Sequence, residues 1–265
     1  MSIQQFATQL LEAEAEKKPI APITASLPSI TAHEAYQIQL KQIEKKIADG
    51  GIIVGKKIGL TSKVMQDMFC VSEPDYGHIL ADMMAIDGEE ITIDHLIQPK
   101  LEFEIAFVLK KDLKGTNITE QDVVEATDYV VPALEIIDSR ISNWQIKFED
   151  TVADNGSSAM AVIGGIPTKL EKVDLETLGM VVYRNGELLD SAASSAVMGN
   201  PIKAVAWLAN ALGSYDIGLH KGEFILSGAL SAAVPIQDGD TFTAKFAHIG
   251  NVSASFHRKG EQVSG

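Results

Sequence analysis

Glu102 and Glu104 are where the sequence first offers chemistry. They lie in the stretch Lys100 to Leu109, in which Leu101, Phe103, Ile105, Phe107 and Leu109 alternate with Glu102, Glu104, Ala106 and Val108. A period of two over ten residues is that of a β-strand with one apolar face. The two carboxylates therefore share the other face, with Cα atoms roughly 6.5–7 Å apart. Like charges so placed raise each other's pKa unless a cation lies between them. A bound metal ion is one reading, and an edge strand with an acidic outer face is the other. A third acid, Glu135, sits in the middle of the apolar run Val130 to Ile137. An unpaired buried glutamate is costly, so Glu135 needs a partner. A metal shared with Glu102 and Glu104 would supply one.

Two adjacent lysines, Lys56 and Lys57, stand in the apolar run Ile52 to Leu60. Neighbouring strand residues face opposite sides, so one lysine should point inward. Lys57 is the inward candidate, because Gly55 on the same side leaves room for close approach, and Lys56 is expected outside. Two surface lysines on an edge strand would be the plainer alternative. The remaining polar clusters are Glu73 to Gly77, a turn or loop by its residue types, and the polar loop Asp150 to Ser158.

The elements that must hold these residues can be read from periodicity and punctuation. Phe6, Leu10 and Leu11 fall at helical spacing, and a link containing Pro19, Pro22 and Pro28 leads to a capping box, Thr31 with Glu34. Tyr36, Leu40, Ile43 and Ile47 continue that helix until Gly50 and Gly51 stop it. Residues 1–51 are thus expected as a two-helix N-terminal segment, and 52–265 as a β-rich catalytic domain. Within the latter, Thr119 to Asp122 caps a helix to about Asp128, Asn185-Gly186 marks a type I′ hairpin, and Asn200-Pro201 opens a helix ending at Gly213. Strands are expected at Ala159 to Ile163, Phe224 to Ser227, Thr241 to Phe246 and Asn251 to Phe256. The fold class is α+β, with a mixed β-roll or barrel-like body.

Composition narrows the partners. A formal net charge of −14 argues against a nucleic-acid backbone or an anionic membrane as partner, since binding there needs clustered Lys and Arg, and an anionic ligand would need a metal or a local cation. The single cysteine, Cys70, allows no internal disulfide, and no apolar run approaches the ~20 residues of a membrane span. A cytoplasmic location is the expectation. The six histidines are scattered without ligand spacing and are read as structural or surface residues.

Glu102, Glu104 and Glu135, together with the segments Lys57 to Ser62, Pro74 to Gly77 and Asp150 to Asn155, resemble the 2-keto-4-pentenoate hydratase family of the fumarylacetoacetate hydrolase superfamily. The match runs from about Glu34 to Phe256 with the motifs in order. The resemblance implies that superfamily's β-rich fold, a divalent metal held by the three glutamates, and a homo-oligomer. Three carboxylates without Cys or His independently favour a hard ion, Mg²⁺ or Mn²⁺, over Zn²⁺. The family includes hydratases of 2-hydroxy-2,4-dienoates and 4-oxalocrotonate decarboxylases. Segments near Glu135, Gly179 and Ser227 look like the decarboxylases, whereas Asn143 to Lys147 and Ala204 to Asn210 look like the hydratases. The expectation is a hydratase of aromatic meta-cleavage catabolism, with 4-oxalocrotonate decarboxylase as the alternative and a non-catalytic keto-acid-binding oligomer as the reading from another class. A hydrolase of acylpyruvates would need a water-activating His–Glu pair, for which there is no clear candidate.

On that resemblance, Lys57, with its pKa pushed down, would move a proton or stabilise an enolate, and Asp75 would handle the water proton. Asn155 and Ser157 would hydrogen-bond the substrate, Ser227, Gly228 and Ala229 would offer backbone amides to its carboxylate, and Asp154 would orient the group from behind. A pathway aldolase or a sister decarboxylase or hydratase is the expected protein partner, besides further copies of the chain.

Overall fold

The N-terminal helices begin where their caps are. In the computed structural model, which describes residues 2–259, α1 (Ile3–Glu16) opens on a complete capping box between Ser2 and Gln5. A single turn, α2 (Ile23–Ser26), follows, and α3 (Ala32–Ala48) opens on the expected box of Thr31 with Glu34. The extra turn α2 fits in the proline-containing link because Asp150 accepts bonds from both Thr24 N and Thr24 Oγ1. Met1 and residues 260–265, which the ranges 1–51 and 52–265 include, lie outside the described residues.

Next come β1 (Ile53–Gly59), α4 (Lys63–Phe69), β2 (Asp75–Leu80), β3 (Met84–Ile86), β4 (Glu90–Thr92) and β5 (Lys100–Leu109). They are followed by α5 (Glu120–Ala126), β6 (Thr127–Ile137), α6 (Phe148–Ala153), β7 (Ser158–Ile163) and the hairpin β8 (Gly179–Arg184) and β9 (Glu187–Ala193). Asn185 and Gly186, at φ 53° and 85°, make the hairpin's type I′ turn. The last elements are α7 (Pro201–Gly213), β10 (Phe224–Leu226), β11 (Val234–Pro235), β12 (Thr241–Phe246) and β13 (Gly250–His257).

Two stretches differ from their sequence reading. Asp75 to Gly77 is strand, not turn, because it pairs antiparallel with β1, Asp75 opposite Gly59 and Gly77 opposite Lys57. Asp150 to Ser158 is not an open loop. Asp150 closes the first turn of α6 by accepting from Lys147 N, and a 3₁₀ turn over Asn155–Ser157 leads into β7.

Among the described residues the strands form two open sheets, and no closed barrel. The larger runs in the order β2-β1-β10-β5-β6-β7-β3, with β11 also on β5; the smaller runs β4-β13-β12-β8-β9. The apolar face of β5 packs on the smaller sheet, where Phe103 meets Phe242 at 6.2 Å between ring centroids and Phe242 meets Phe256 at 6.1 Å. Phe103 is fully buried, and Phe103→Ala would cost about 3–5 kcal/mol. The other face of β5 holds the acids, beside a smaller apolar cluster that includes Ala106, Val131, Ala133 and Leu226.

The N-terminal helices are tied to this body by buried amides. Gln39 Nε2 donates to Tyr76 O and Val152 O, and Gln42 Nε2 donates to Ala153 O. Both glutamines bridge α3 to elements that carry site residues. Among the described residues, no helix is long and apolar enough to cross a membrane.

Candidate active site

The pairing of β5 with β6 sets Glu102 directly opposite Glu135, and Glu104 projects from the same face of β5 two residues further on. One carboxylate oxygen from each of the three lies within 4.8 Å of the others. Glu104 and Glu135 are fully buried, whereas Glu102 is half-buried, so the cluster opens to solvent on its Glu102 side. Glu104 Oε2 accepts from Gly228 N at 2.7 Å. Glu104 Oε1 and both Glu135 oxygens are buried with no hydrogen-bond partner. Burial, reinforced by the charge of Glu135, pushes Glu102 up to about 7 and Glu104 well above the usual carboxylate range. Burial raises Glu135 as well, against the opposing pull of Lys57.

Three desolvated carboxylates with oxygens to spare are unfavourable as a bare set and well matched to a divalent cation. The all-oxygen donor set suits Mg²⁺, Mn²⁺ or Ca²⁺ better than Zn²⁺.

Lys57 enters from β1. Its Nζ stands 3.8 Å from Glu135 Oε1 and 4.0 Å from Asp75 Oδ1, and the residue is 3% exposed. Glycines make the space it fills. A Cβ on Gly156 would come within 2.5 Å of Lys57 Cε, and one on Gly59 within 2.1 Å of Asp75 Oδ1. Gly156 also has φ 59°, so a side chain there is excluded twice over. The expected lowering of the Lys57 pKa is reversed. Burial does lower it, but Glu135, Asp75, Glu102 and Glu104 together outweigh burial and hold the ammonium charged. Asp75 is buried, with Thr151 Oγ1 donating to its Oδ2 at 3.3 Å and its Oδ1 unpartnered.

Lys56 is not outside. It is 1% exposed on the opposite face of β1, with its Nζ 2.7 Å from Glu223 Oε2. The sheet is covered on both faces, so alternation sends each lysine into a different interior.

The residues expected to meet substrate divide. Asn155 is a clamp. Its Oδ1 accepts from His78 N at 2.8 Å and its Nδ2 donates to His78 O at 2.9 Å, fixing the 3₁₀ turn to β2 with one bond at each end of the amide. Ser157 is buried behind it, its Oγ 3.4 Å from Asp154 Oδ2. Asp154 belongs to a buried network, accepting from Arg140 N, Arg140 Nε and Ser139 Oγ. Of the three expected amides, Ser227 N donates to Ile105 O and Gly228 N to Glu104, so these two are spent within the protein. The Ser227 hydroxyl is buried without a partner. The structure therefore brings together Glu102, Glu104, Glu135, Lys57, Asp75 and Gly228. It sets Asn155 and Ser157 behind Lys57, where Gly156 packs against its stem.

Sequence reading missed Thr151, Gly59 and Gly156. Thr151 stands in the polar stretch Asp150 to Ser158, but its bond to Asp75 spans 76 residues.

The chain is similar to known proteins in family profile, in sequence and in structure. The profile described as fumarylacetoacetate (FAA) hydrolase C-terminal matches residues 66–257. The chain is 42% identical to a 2-oxo-hept-4-ene-1,7-dioate hydratase of Escherichia coli, covering 95% of this chain and 96% of that one. It is 44% identical to a 2-hydroxyhexa-2,4-dienoate hydratase of Comamonas testosteroni, covering 97% and 99%. Among solved structures, 4-oxalocrotonate decarboxylase from Pseudomonas putida G7, complexed with magnesium and adipate, superposes with a TM-score of 0.93 at 38% identity, covering 96% of this chain and 97% of that one.

Proposed function

As the chain belongs to the fumarylacetoacetate hydrolase family, we propose that it is a hydratase that adds water to a 2-hydroxy-2,4-dienoate, giving a 4-hydroxy-2-oxo acid. The observation that carries this reading is the trio Glu102, Glu104 and Glu135, the last two fully buried with unpartnered oxygens, beside a charged Lys57 and an unpartnered Asp75 Oδ1. Hydratases recur among the relatives at 40–44% identity, two of them named for 2,4-dienoates.

The three glutamates would hold a divalent ion, Mg²⁺ or Mn²⁺, which as a Lewis acid draws electrons towards the substrate's C2 oxygen. Lys57, held as an ammonium, donates a hydrogen bond where negative charge gathers on that oxygen and is a proton source on that side. The dienol gives up its hydroxyl proton and takes one at C5, the far end of its diene, becoming a conjugated 2-oxo-3-enoate. Water then adds across C3=C4: its oxygen bonds to C4, Asp75, through Oδ1, accepts the proton that it gives up, and C3 takes a proton from the Lys57 side. Thr151 orients Asp75 from its other oxygen. The buried Ser227 hydroxyl and the Ala229 amide are the groups of the 227–229 loop left for the substrate. The reading includes a homo-oligomer in the cytoplasm, with a helical segment 1–51 packed on the catalytic domain.

Decarboxylation of 4-oxalocrotonate is the second reading, favoured by the 0.93 superposition on that decarboxylase. The two are separated by supplying 2-hydroxypenta-2,4-dienoate and 4-oxalocrotonate with Mg²⁺ or Mn²⁺. A hydratase bleaches the first dienoate's ultraviolet absorbance without gas. Release of carbon dioxide from the second, with no bleaching of the first, overturns the hydratase reading in favour of the decarboxylase. If neither substrate turns over although keto acids bind, the chain is a binding protein.

A further inference from the structure

Lys100 shares a strand face with Glu102 and Glu104, one step outward of Glu102, on the side where the glutamate cluster opens to solvent. Unlike Lys57 it has no carboxylate within 4.0 Å among the described residues. Instead its Nζ lies over the ring of Trp144, 4.0 Å from the centroid. The loop that presents this ring is built rather than slack. Trp144 Nε1 donates to Gln98 O at 3.1 Å. Gln98 Nε2 donates to Ser139 O and Ile141 O, and the Asp138 carboxylate accepts from Ile97 N and Gln98 N. Asn143 and Trp144 both adopt left-handed backbone conformations, at φ 56° and 55°. Two consecutive non-glycine residues held there show a conformation imposed by the surrounding bonds, a pattern that collects at ligand sites.

Charge counting gives this lysine a task. Glu102, Glu104, Glu135 and Asp75 carry four formal negative charges in one pocket. A divalent ion and Lys57 offset three of them. One negative charge remains before an anionic substrate arrives, so a 2-oxo acid would meet net repulsion unless a further cation stood at the entrance. Lys56 cannot serve, being spent on Glu223 on the far face of the sheet.

We propose that Lys100, braced on the Trp144 ring, is a substrate-binding residue that receives the C1 carboxylate common to 2-oxo and 2-hydroxy-dienoic acids at the mouth of the glutamate cluster. The inference rests on the hydratase reading for the location of the substrate. Its test reads binding alone, so a failure of turnover and a failure of this assignment are separable. Calorimetric titration of the Mn²⁺-loaded protein with 2-oxopentanoate and with 2-oxoadipate compares two ligands that share the 2-oxo acid head and differ at the tail. Lys100→Met should weaken both by about tenfold or more, the scale of a lost charge-assisted hydrogen bond, and by the same factor for each. Lys100→Arg should keep most of the affinity, Trp144→Ala should weaken both ligands by a smaller common factor, and Mn²⁺ binding by Lys100→Met should change less than threefold. A loss confined to 2-oxoadipate would place Lys100 at the tail and overturn the proposal. So would unchanged affinity for both ligands, or a loss traced to weaker Mn²⁺ binding.

Discussion

Strand β1 sends one buried lysine to each side of the large sheet, and the two are held in opposite ways. Lys56 has a single carboxylate at 2.7 Å, that of Glu223, which also accepts from His220 N. Burial lowers its pKa, and Glu223 pulls the other way. Lys57 has two carboxylates at 3.8 and 4.0 Å, neither at hydrogen-bonding distance, with two more acids behind them that help to raise its pKa. The pair on the back face is closed, each charge answered at contact distance. The group on the front face has buried oxygens left over and a cation that touches none of them closely. A buried charge cluster that is satisfied is part of the fold, and one that is not is waiting for something.

The sharpest break in that comparison is on the front face. Glu135→Gln removes a fully buried charge that is opposed in the metal-free protein, so the fold should hold and its thermal midpoint without metal should stay level or rise. Turnover should nevertheless fall about 10³-fold or more, with Mn²⁺ affinity down at least 10²-fold by titration. Equal metal affinity in the variant would remove Glu135 from the site. Lys57→Met comes next. It keeps most of the stem that Gly156 packs against but removes the charge, and kcat should fall about 10²-fold or more while Mn²⁺ binding persists.

How much of this front face could be read in advance follows from distance along the chain. Glu102 and Glu104 are legible because a strand's period of two acts within a few residues, and Glu135 because an acid alone in an apolar run has no local explanation. The choice of Lys57 over Lys56 follows from the same alternation with Gly55. The capping boxes at Thr31 and Thr119 are equally local, and both form. What fails is what long-range pairing decides. Pro74 to Gly77 has the composition of a turn, yet pairing with β1 draws Asp75 into a strand. Asn155 looks like an open polar side chain, yet His78, 77 residues away, bonds to each end of its amide. Lys56 looks like a surface lysine because its partner Glu223 is 167 residues distant.

On the back face the variants should act on stability and leave the chemistry alone. Lys56→Met strands Glu223 in a largely buried position and should destabilise the protein by about 3 kcal/mol, read as a lower denaturation midpoint, with kcat near that of the parent wherever the variant is folded. Pairing it with Glu223→Leu should recover most of the loss, since two apolar groups leave no orphan charge. A kcat that falls with Lys56→Met as far as with Lys57→Met would erase the distinction between the two faces.

The finest test of the closed face uses its histidine. His78 lies opposite Lys56 in the pairing of β1 with β2, is 1% exposed, and has Nδ1 3.2 Å from Gln39 Oε1. Burial, with the Lys56 charge beside it, depresses its pKa from 6.5 to about 3. The folded protein therefore keeps His78 neutral in a range where the unfolded chain binds a proton. Its contribution to stability is complete above the unfolded value of 6.5 and drains away as the pH falls towards about 3. Between pH 7 and pH 5 the loss from this one group is about 2 kcal/mol. His78→Gln, which retains an amide near Gln39 but cannot gain a proton, should flatten the dependence of the denaturation midpoint on pH across that interval. A slope identical to the parent's would mean that the closed face yields to acid elsewhere, and that His78 is not the group through which protons open it.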